Sequence, residues 1–129
     1  KQNWKENMNK VEISTIKYDA DDTIKQYAEK KIGHTLKYLP RHAKKSASCH
    51  VTLEKLSKKR DDQYQVEVAI TVPDKTLTVT SNASTILAAI DIAQPKILSQ
   101  VRRYKTETVP HIGKRGVFSK LKNKFLNRK

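Results

Sequence analysis

Residues 64–80 read Tyr-Gln-Val-Glu-Val-Ala-Ile-Thr-Val-Pro-Asp-Lys-Thr-Leu-Thr-Val-Thr, and this stretch decides the fold class. Tyr64, Val66, Val68, Ile70 and Val72 alternate with Gln65, Glu67, Ala69 and Thr71. That period of two belongs to a strand with one face in a core. Pro73-Asp74-Lys75 supplies a tight turn, because proline presets φ and aspartate bonds its own backbone. The chain then re-enters a strand over 76–80, with Leu77 and Val79 directed inward. Two alternating runs joined by so short a turn specify an antiparallel hairpin.

Working upstream, Ala47, Cys49, Val51 and Leu53 alternate with Ser48, His50, Thr52 and Glu54 as a further strand. The polar segment 57–62, Ser-Lys-Lys-Arg-Asp-Asp, makes the hairpin loop that joins it to residue 64. Before it, Ile24, Tyr27, Ala28, Ile32, Leu36 and Leu39 recur at 3.6-residue spacing, which predicts an amphipathic helix over 22–39 ended by Pro40. Asp19, Asp21 and Asp22 are its cap candidates. Gly33 in its interior costs about 1 kcal/mol relative to alanine and hints at close packing. Val11 and Ile13 share one face of a first strand over 11–15. Downstream, Ser84 is placed to cap a second helix over 85–105, with Leu87, Ile90, Ile97, Val101 and Tyr104 as its apolar stripe and Pro95 as an expected kink. The order is β-α-β-β-β-α: an α+β fold, a four-stranded sheet with both helices on one face.

The chain has 129 residues, enough for one modest core. We expect an N-terminal extension over 1–8, the α+β domain over 9–105 and a basic C-terminal tail over 106–129. Cys49 is the only cysteine, so disulfides and multi-cysteine metal sites are excluded and a reducing compartment fits. No apolar run approaches the length of a membrane span, and the expectation is a soluble, cytoplasmic chain. Within the tail, Val117, Phe118, Leu121, Phe125 and Leu126 fall on one face of a short basic helix. Such a face also suits an interfacial membrane anchor, although its length argues against stable anchoring.

Catalysis finds no support. His34, His42, His50 and His111 lack metal-site spacing, and three glycines cannot build a phosphate-cradling loop. Cys49 lies on the inward side of its strand and reads as a core residue rather than a nucleophile. We expect no cofactor and no small-molecule substrate.

Charge points elsewhere. Residues 1–95 carry 16 Lys and Arg against 12 Asp and Glu, whereas residues 96–129 carry 11 against Glu107 alone. The net charge of +14 favours a polyanionic partner, because each phosphate neutralised releases condensed counterions. The outward sheet face is rich in Thr and Ser and lacks the aromatic pair on which RNA-recognition sheets stack bases. The helices are better placed. Lys30, His34, Lys37 and Arg41 recur at i, i+4, i+7 and i+11, with Tyr38 at the border. Lys96 and Arg103 share a face of the second helix, with Arg102 and Lys105 alongside. Two such helices on one sheet face would merge their stripes into a phosphate-binding surface, and Lys114 and Arg115 of the tail join the candidate set.

The same residues carry a family likeness. Glu29-Lys30-Lys31-Ile32 through Leu36-Lys37-Tyr38-Leu39 resembles the first-helix signature of the bacterial ribosome hibernation-promoting factor / ribosome-associated inhibitor family. Ala88-Ala89-Ile90-Asp91, then Lys96 and Gln100-Val101-Arg102-Arg103-Tyr104-Lys105, resembles its second-helix signature. The resemblance spans about residues 9–105 and matches the short form. It implies a bacterial or plastid protein that sits between head and body of the small ribosomal subunit and covers the mRNA path and tRNA positions. It implies further that Lys30, Lys31, Lys37, Tyr38, Arg102, Arg103 and Lys105 face ribosomal RNA. The chain is expected to be monomeric off the ribosome. Pro95, Leu87 and the glycine-free turn at 73–75 depart from the family pattern. The alternative is a general double-stranded-RNA-binding module, whose α-β-β-β-α core would match 22–105.

Overall fold

The computed structural model describes residues 11–56 and 63–108. Four strands form one sheet in the order β1-β2-β3-β4: β1 (Val11–Ile16), β2 (Ser48–Lys55), β3 (Tyr64–Val72) and β4 (Lys75–Ala83). β1 runs parallel to β2, and the other two pairings are antiparallel. Register places Val11, Cys49, Ile70 and Leu77 on one rung and Ile13, Val51, Val68 and Val79 on the next. These rungs face the helices, so the alternation seen in the sequence becomes a single apolar floor. The opposite face is open and polar: Glu12, Ser14, His50, Thr52, Glu54, Gln65, Glu67 and a threonine row at 76, 78 and 80.

Helix α1 (Asp22–Gly33) is capped by Asp21, whose carboxylate accepts from the Ile24 backbone N–H at 2.9 Å. It is shorter than its apolar spacing predicts. From His34 to Tyr38 the chain tightens into a 3-10 turn, and a separate short helix, α2 (Arg41–Lys44), begins after Pro40. The buried Thr35 hydroxyl donates to the Ile32 carbonyl at 2.6 Å, a local bond that competes with helix continuation. Gly33 is buried, as its small size suggested.

Helix α3 (Ile86–Thr108) crosses the sheet over β3 and β4. Thr85, not Ser84, is its cap, accepting from the Ala88 N–H at 3.1 Å. The helix is continuous through Pro95. Pro95 is exposed, so the Asp91 carbonyl that loses its usual donor lies towards water. The inward stripe is Ile86, Ala89, Ile90, Ala93, Ile97, Val101 and Tyr104, all buried. Leu87, expected among them, is 44% exposed and lies outside it. β4 extends to Ala83 because the Ser81 hydroxyl points into the core and donates to the Ala89 carbonyl at 2.6 Å. Among the described residues no buried side-chain polar atom lacks a partner. Cys49 is buried, and burial pushes its thiol up to about 12.

The far end of α3 is tied to the β3–β4 turn. The Tyr104 hydroxyl donates to Asp74 Oδ1 at 2.7 Å, Lys75 Nζ lies 5.6 Å from the Tyr104 ring centre, and Lys75 pairs with Glu107 at 3.4 Å. Among the described residues, no helix is long and apolar enough to cross a membrane. The hairpin loop expected over 57–62 and the short helix expected in the tail both lie outside the described residues.

Candidate nucleic-acid interface

Packing α1 and α3 side by side on one sheet face leaves their outer surfaces adjacent, and the cationic side chains gather there. Lys30 and Lys37 are exposed, while Lys31, His34 and Tyr38 are half-buried along the seam between the helices. From α3, Arg102 reaches across until its guanidinium carbon lies 5.3 Å from the Tyr38 ring centre. Lys37 Nζ approaches the same ring at 5.5 Å, and the His34 ring meets it nearly edge-on at 6.0 Å. Tyr38 thus organises three basic residues from two elements, and each exposed cation–ring contact contributes about 0.5–1 kcal/mol.

The seam is pinned further along by Asp91. The Tyr27 hydroxyl of α1 donates to Asp91 Oδ1, and Lys31 Nζ lies 3.8 Å from the same oxygen. Donating that bond and losing water both raise the Tyr27 pKa, the hydrogen bond more strongly. Lys31 and Asp91 are each about half exposed, at 42% and 51%, so their ion pair positions side chains more than it stabilises the fold. Asp91 thus ties α1 to α3 through two side chains of α1. His34 titrates below its ordinary range, chiefly because burial disfavours the imidazolium and secondarily because Lys37 is positive.

Not every candidate joins this seam. Because α1 stops at Gly33, Lys30, His34, Lys37 and Arg41 are not one α-helical stripe, and Arg41 opens α2. Lys96 turns the other way, donating from Nζ to the Thr80 carbonyl of β4 at 3.0 Å. Arg103, seven residues on, shares that side of α3 and is exposed. Lys105 is exposed near the end of α3, three residues beyond Arg102. Lys114 and Arg115 lie outside the described residues. Sequence reasoning missed Tyr27 and Gln94, which line a cleft between α1 and α3 with Lys30, Lys31 and His34. Tyr27 was hidden in the apolar stripe, although a tyrosine hydroxyl at the stripe's edge signals a polar partner. Gln94 carries no comparable signal.

Among the described residues, no group of three His, Cys, Asp or Glu side chains is arranged to hold a metal ion. Among the described residues the open sheet face presents no Phe, Tyr or Trp on which bases could stack.

Three comparisons bear on this arrangement. The sequence model of the family described as Sigma 54 modulation protein / S30EA ribosomal protein matches residues 11–108. Among solved structures, the N-terminal domain of Protein Y from Thermus thermophilus has a TM-score of 0.59 at 24% identity, covering 72% of this chain and 94% of its own. A ribosomal subunit interface protein from Coxiella burnetii has a TM-score of 0.58 at 15% identity, covering 74% and 97%. At these identities the two structures attest a shared fold.

Proposed function

The chain belongs to the Sigma 54 modulation protein / S30EA ribosomal protein family, and from that premise we propose that it silences ribosomes by lying on ribosomal RNA of the small subunit and covering the mRNA and tRNA positions. The family is one of ribosome-associated modulation factors, non-enzymatic in type, which binds ribosomes in hibernation. The finer claim rests on one observation: the seam between the two long helices gathers Lys37 and Arg102 at the Tyr38 ring and Lys30 and Lys31 beside Tyr27, on a surface backed by the sheet. Lys105 extends the cationic surface along α3, and Arg103 adds an exposed charge on the side of that helix that Lys96 occupies. In this reading residues 9–105 form the ribosome-binding unit, and Lys114 and Arg115 in the tail 106–129 add phosphate contacts.

Inhibition then proceeds by occlusion. Phosphate contacts set the affinity, arginine forks fix orientation, and no bond in any ligand is made or broken. With six to ten phosphates engaged, affinity falls roughly 10³–10⁵-fold between 50 and 200 mM salt.

The test is co-sedimentation with vacant small subunits, with and without excess mRNA and initiator tRNA. Pelleting that the two ligands displace supports occlusion of the decoding cleft. Pelleting that they leave unaltered puts the contact elsewhere and refutes occlusion. Equal affinity for short synthetic duplexes and for subunits would favour the duplex-RNA module instead.

A further inference from the structure

The cleft between α1 and α3 has a volume of about 380 Å³ and is lined by Tyr27, Lys30, Lys31, His34 and Gln94. That lies at the lower end of ligand clefts, which run to roughly 300–1,000 Å³. It is far too small for a duplex and suits one unstacked residue. Its chemistry is divided. Lys30 has no ion-pair partner among the described residues, and Lys31, paired with Asp91 and 6.0 Å from the Tyr27 ring centre, adds a second cation to the lining. Gln94, on the α3 wall, makes no side-chain hydrogen bond among the described residues, and its amide offers one acceptor and two donor hydrogens. His34 is neutral at pH 7, since burial and Lys37 both disfavour its charge, so it also presents one donor and one acceptor. The Tyr27 ring, its hydroxyl fixed on Asp91, gives the cleft an aromatic wall.

A cation for phosphate, two bidirectional hydrogen-bonding groups for a base edge and an aromatic wall for a base face together define one ligand class. We propose that this cleft is a mononucleotide site, which takes one unpaired nucleotide, either a residue splayed out of a folded RNA or a free nucleoside phosphate. The inference rests on the ribosomal-RNA reading of the seam and deepens it. Phosphates along the seam position the protein without regard to sequence, whereas the cleft selects RNA that can release a residue. Fully paired RNA cannot fill it. Because both helix walls are packed on the sheet and pinned by Tyr27 and Asp91, the cleft exists before RNA arrives and binding needs no large rearrangement.

The experiment is a binding series on the full chain with a short RNA duplex, the same duplex carrying one bulged nucleotide, adenosine 5′-monophosphate, adenosine and inorganic phosphate. It is read by anisotropy and by NMR shifts of the Gln94 side-chain amide and the His34 ring. The bulged duplex should bind at least tenfold tighter than the paired one and shift both groups. Gln94→Ala and Lys30→Ala should each reduce that preference at least threefold, whereas Thr78→Ala on the open sheet face should leave it intact. Adenosine monophosphate that shifts the same groups and competes with the bulge assigns free nucleotides to the site as well. A bulge response without it assigns the site to RNA alone. Equal binding of both duplexes together with no nucleotide response overturns the proposal. So does a bulge preference that survives Gln94→Ala and Lys30→Ala, or a response that inorganic phosphate reproduces in full. Wild-type protein that pellets with small subunits but ignores the bulge refutes this inference alone. Protein that prefers the bulge but never pellets refutes the ribosomal reading alone.

Discussion

Tyr104→Phe is the most informative single change, because it removes one hydroxyl and leaves the packing intact. Tyr104 is 1% exposed, and its ring stays in the core in the variant. The variant gives up the bond to Asp74 at 2.7 Å. A hydrogen bond to a charged acceptor is worth about 1.5–3 kcal/mol, and Asp74 is exposed, so the loss near neutrality should be about 1.5 kcal/mol. The pH dependence is sharper. Burial first, and the hydrogen bond and negative charge of Asp74 after it, push the Tyr104 hydroxyl from 10.0 up to about 12. A group whose pKa is higher in the folded protein binds its proton more tightly there. Its contribution is therefore complete below pH 10 and is lost as pH rises from 10 through 12. The change amounts to at most about 2.7 kcal/mol. Urea unfolding followed by far-ultraviolet circular dichroism at pH 8, 10, 11 and 12 measures it as a difference between the two proteins. The lysines and the other tyrosines titrate in both and cancel. The wild-type advantage should hold to pH 10, vanish above pH 11 and reverse near 12. A gap that stays constant from pH 8 to 12 would refute the argument, since the hydroxyl would then not be the buried, Asp74-bonded group described.

Arg102→Ala and Arg103→Ala should each flatten the logarithmic salt dependence of subunit binding by about 0.9 for every phosphate that the arginine neutralises. Both side chains are exposed, so unfolding free energy should change by less than about 1 kcal/mol. Lys96→Ala should flatten it less than Arg102→Ala, because its ammonium is held at the Thr80 carbonyl; an equal effect would place Lys96 on RNA. Cys49, with its thiol pushed up to about 12, should resist aromatic disulfide reagents at pH 8 until the chain opens, and rapid native labelling would contradict its burial. Lys17 has φ 52°, a left-handed conformation that a side chain disfavours, so Lys17→Gly should be neutral or stabilise by up to about 1 kcal/mol in urea unfolding. A destabilisation greater than about 1 kcal/mol would mean that the lysine side chain offsets the strain.

Much of the fold was legible because half-buried strands write their geometry in alternation. β3 spans Tyr64–Val72, the range read from Tyr64, Val66, Val68, Ile70 and Val72. Where the pattern misled, a polar side chain had entered the core. Ser81 hid the last turn of β4 because its hydroxyl is satisfied only by a carbonyl of α3, which no local pattern reveals. Thr35 did the same to the end of α1. The cap of α3 slipped one residue because Ser84 and Thr85 offer the same chemistry, and backbone geometry chooses between them. The basic stripes were readable as spacing, but their destinations were not. Arg102 and Lys96 sit six residues apart on one helix and turn to opposite sides, one to a ring and one to a strand edge. The cleft was the least legible feature, since Gln94 gains meaning only opposite α1.

The two faces of the sheet differ in more than polarity. Among the described residues the open face bears Glu12, Glu54 and Glu67 and no lysine or arginine, while the helical side bears the cations. The described residues therefore form an electrical dipole whose axis runs through the sheet. In free diffusion near a polyanion, such a dipole experiences a torque before any contact forms, swinging the helices forward and the threonine rows away. Collisions in the wrong orientation are held less strongly, since three glutamates offset the attraction of the +14 chain on that face. The charge arrangement thus sorts encounters in time as well as holding the final complex.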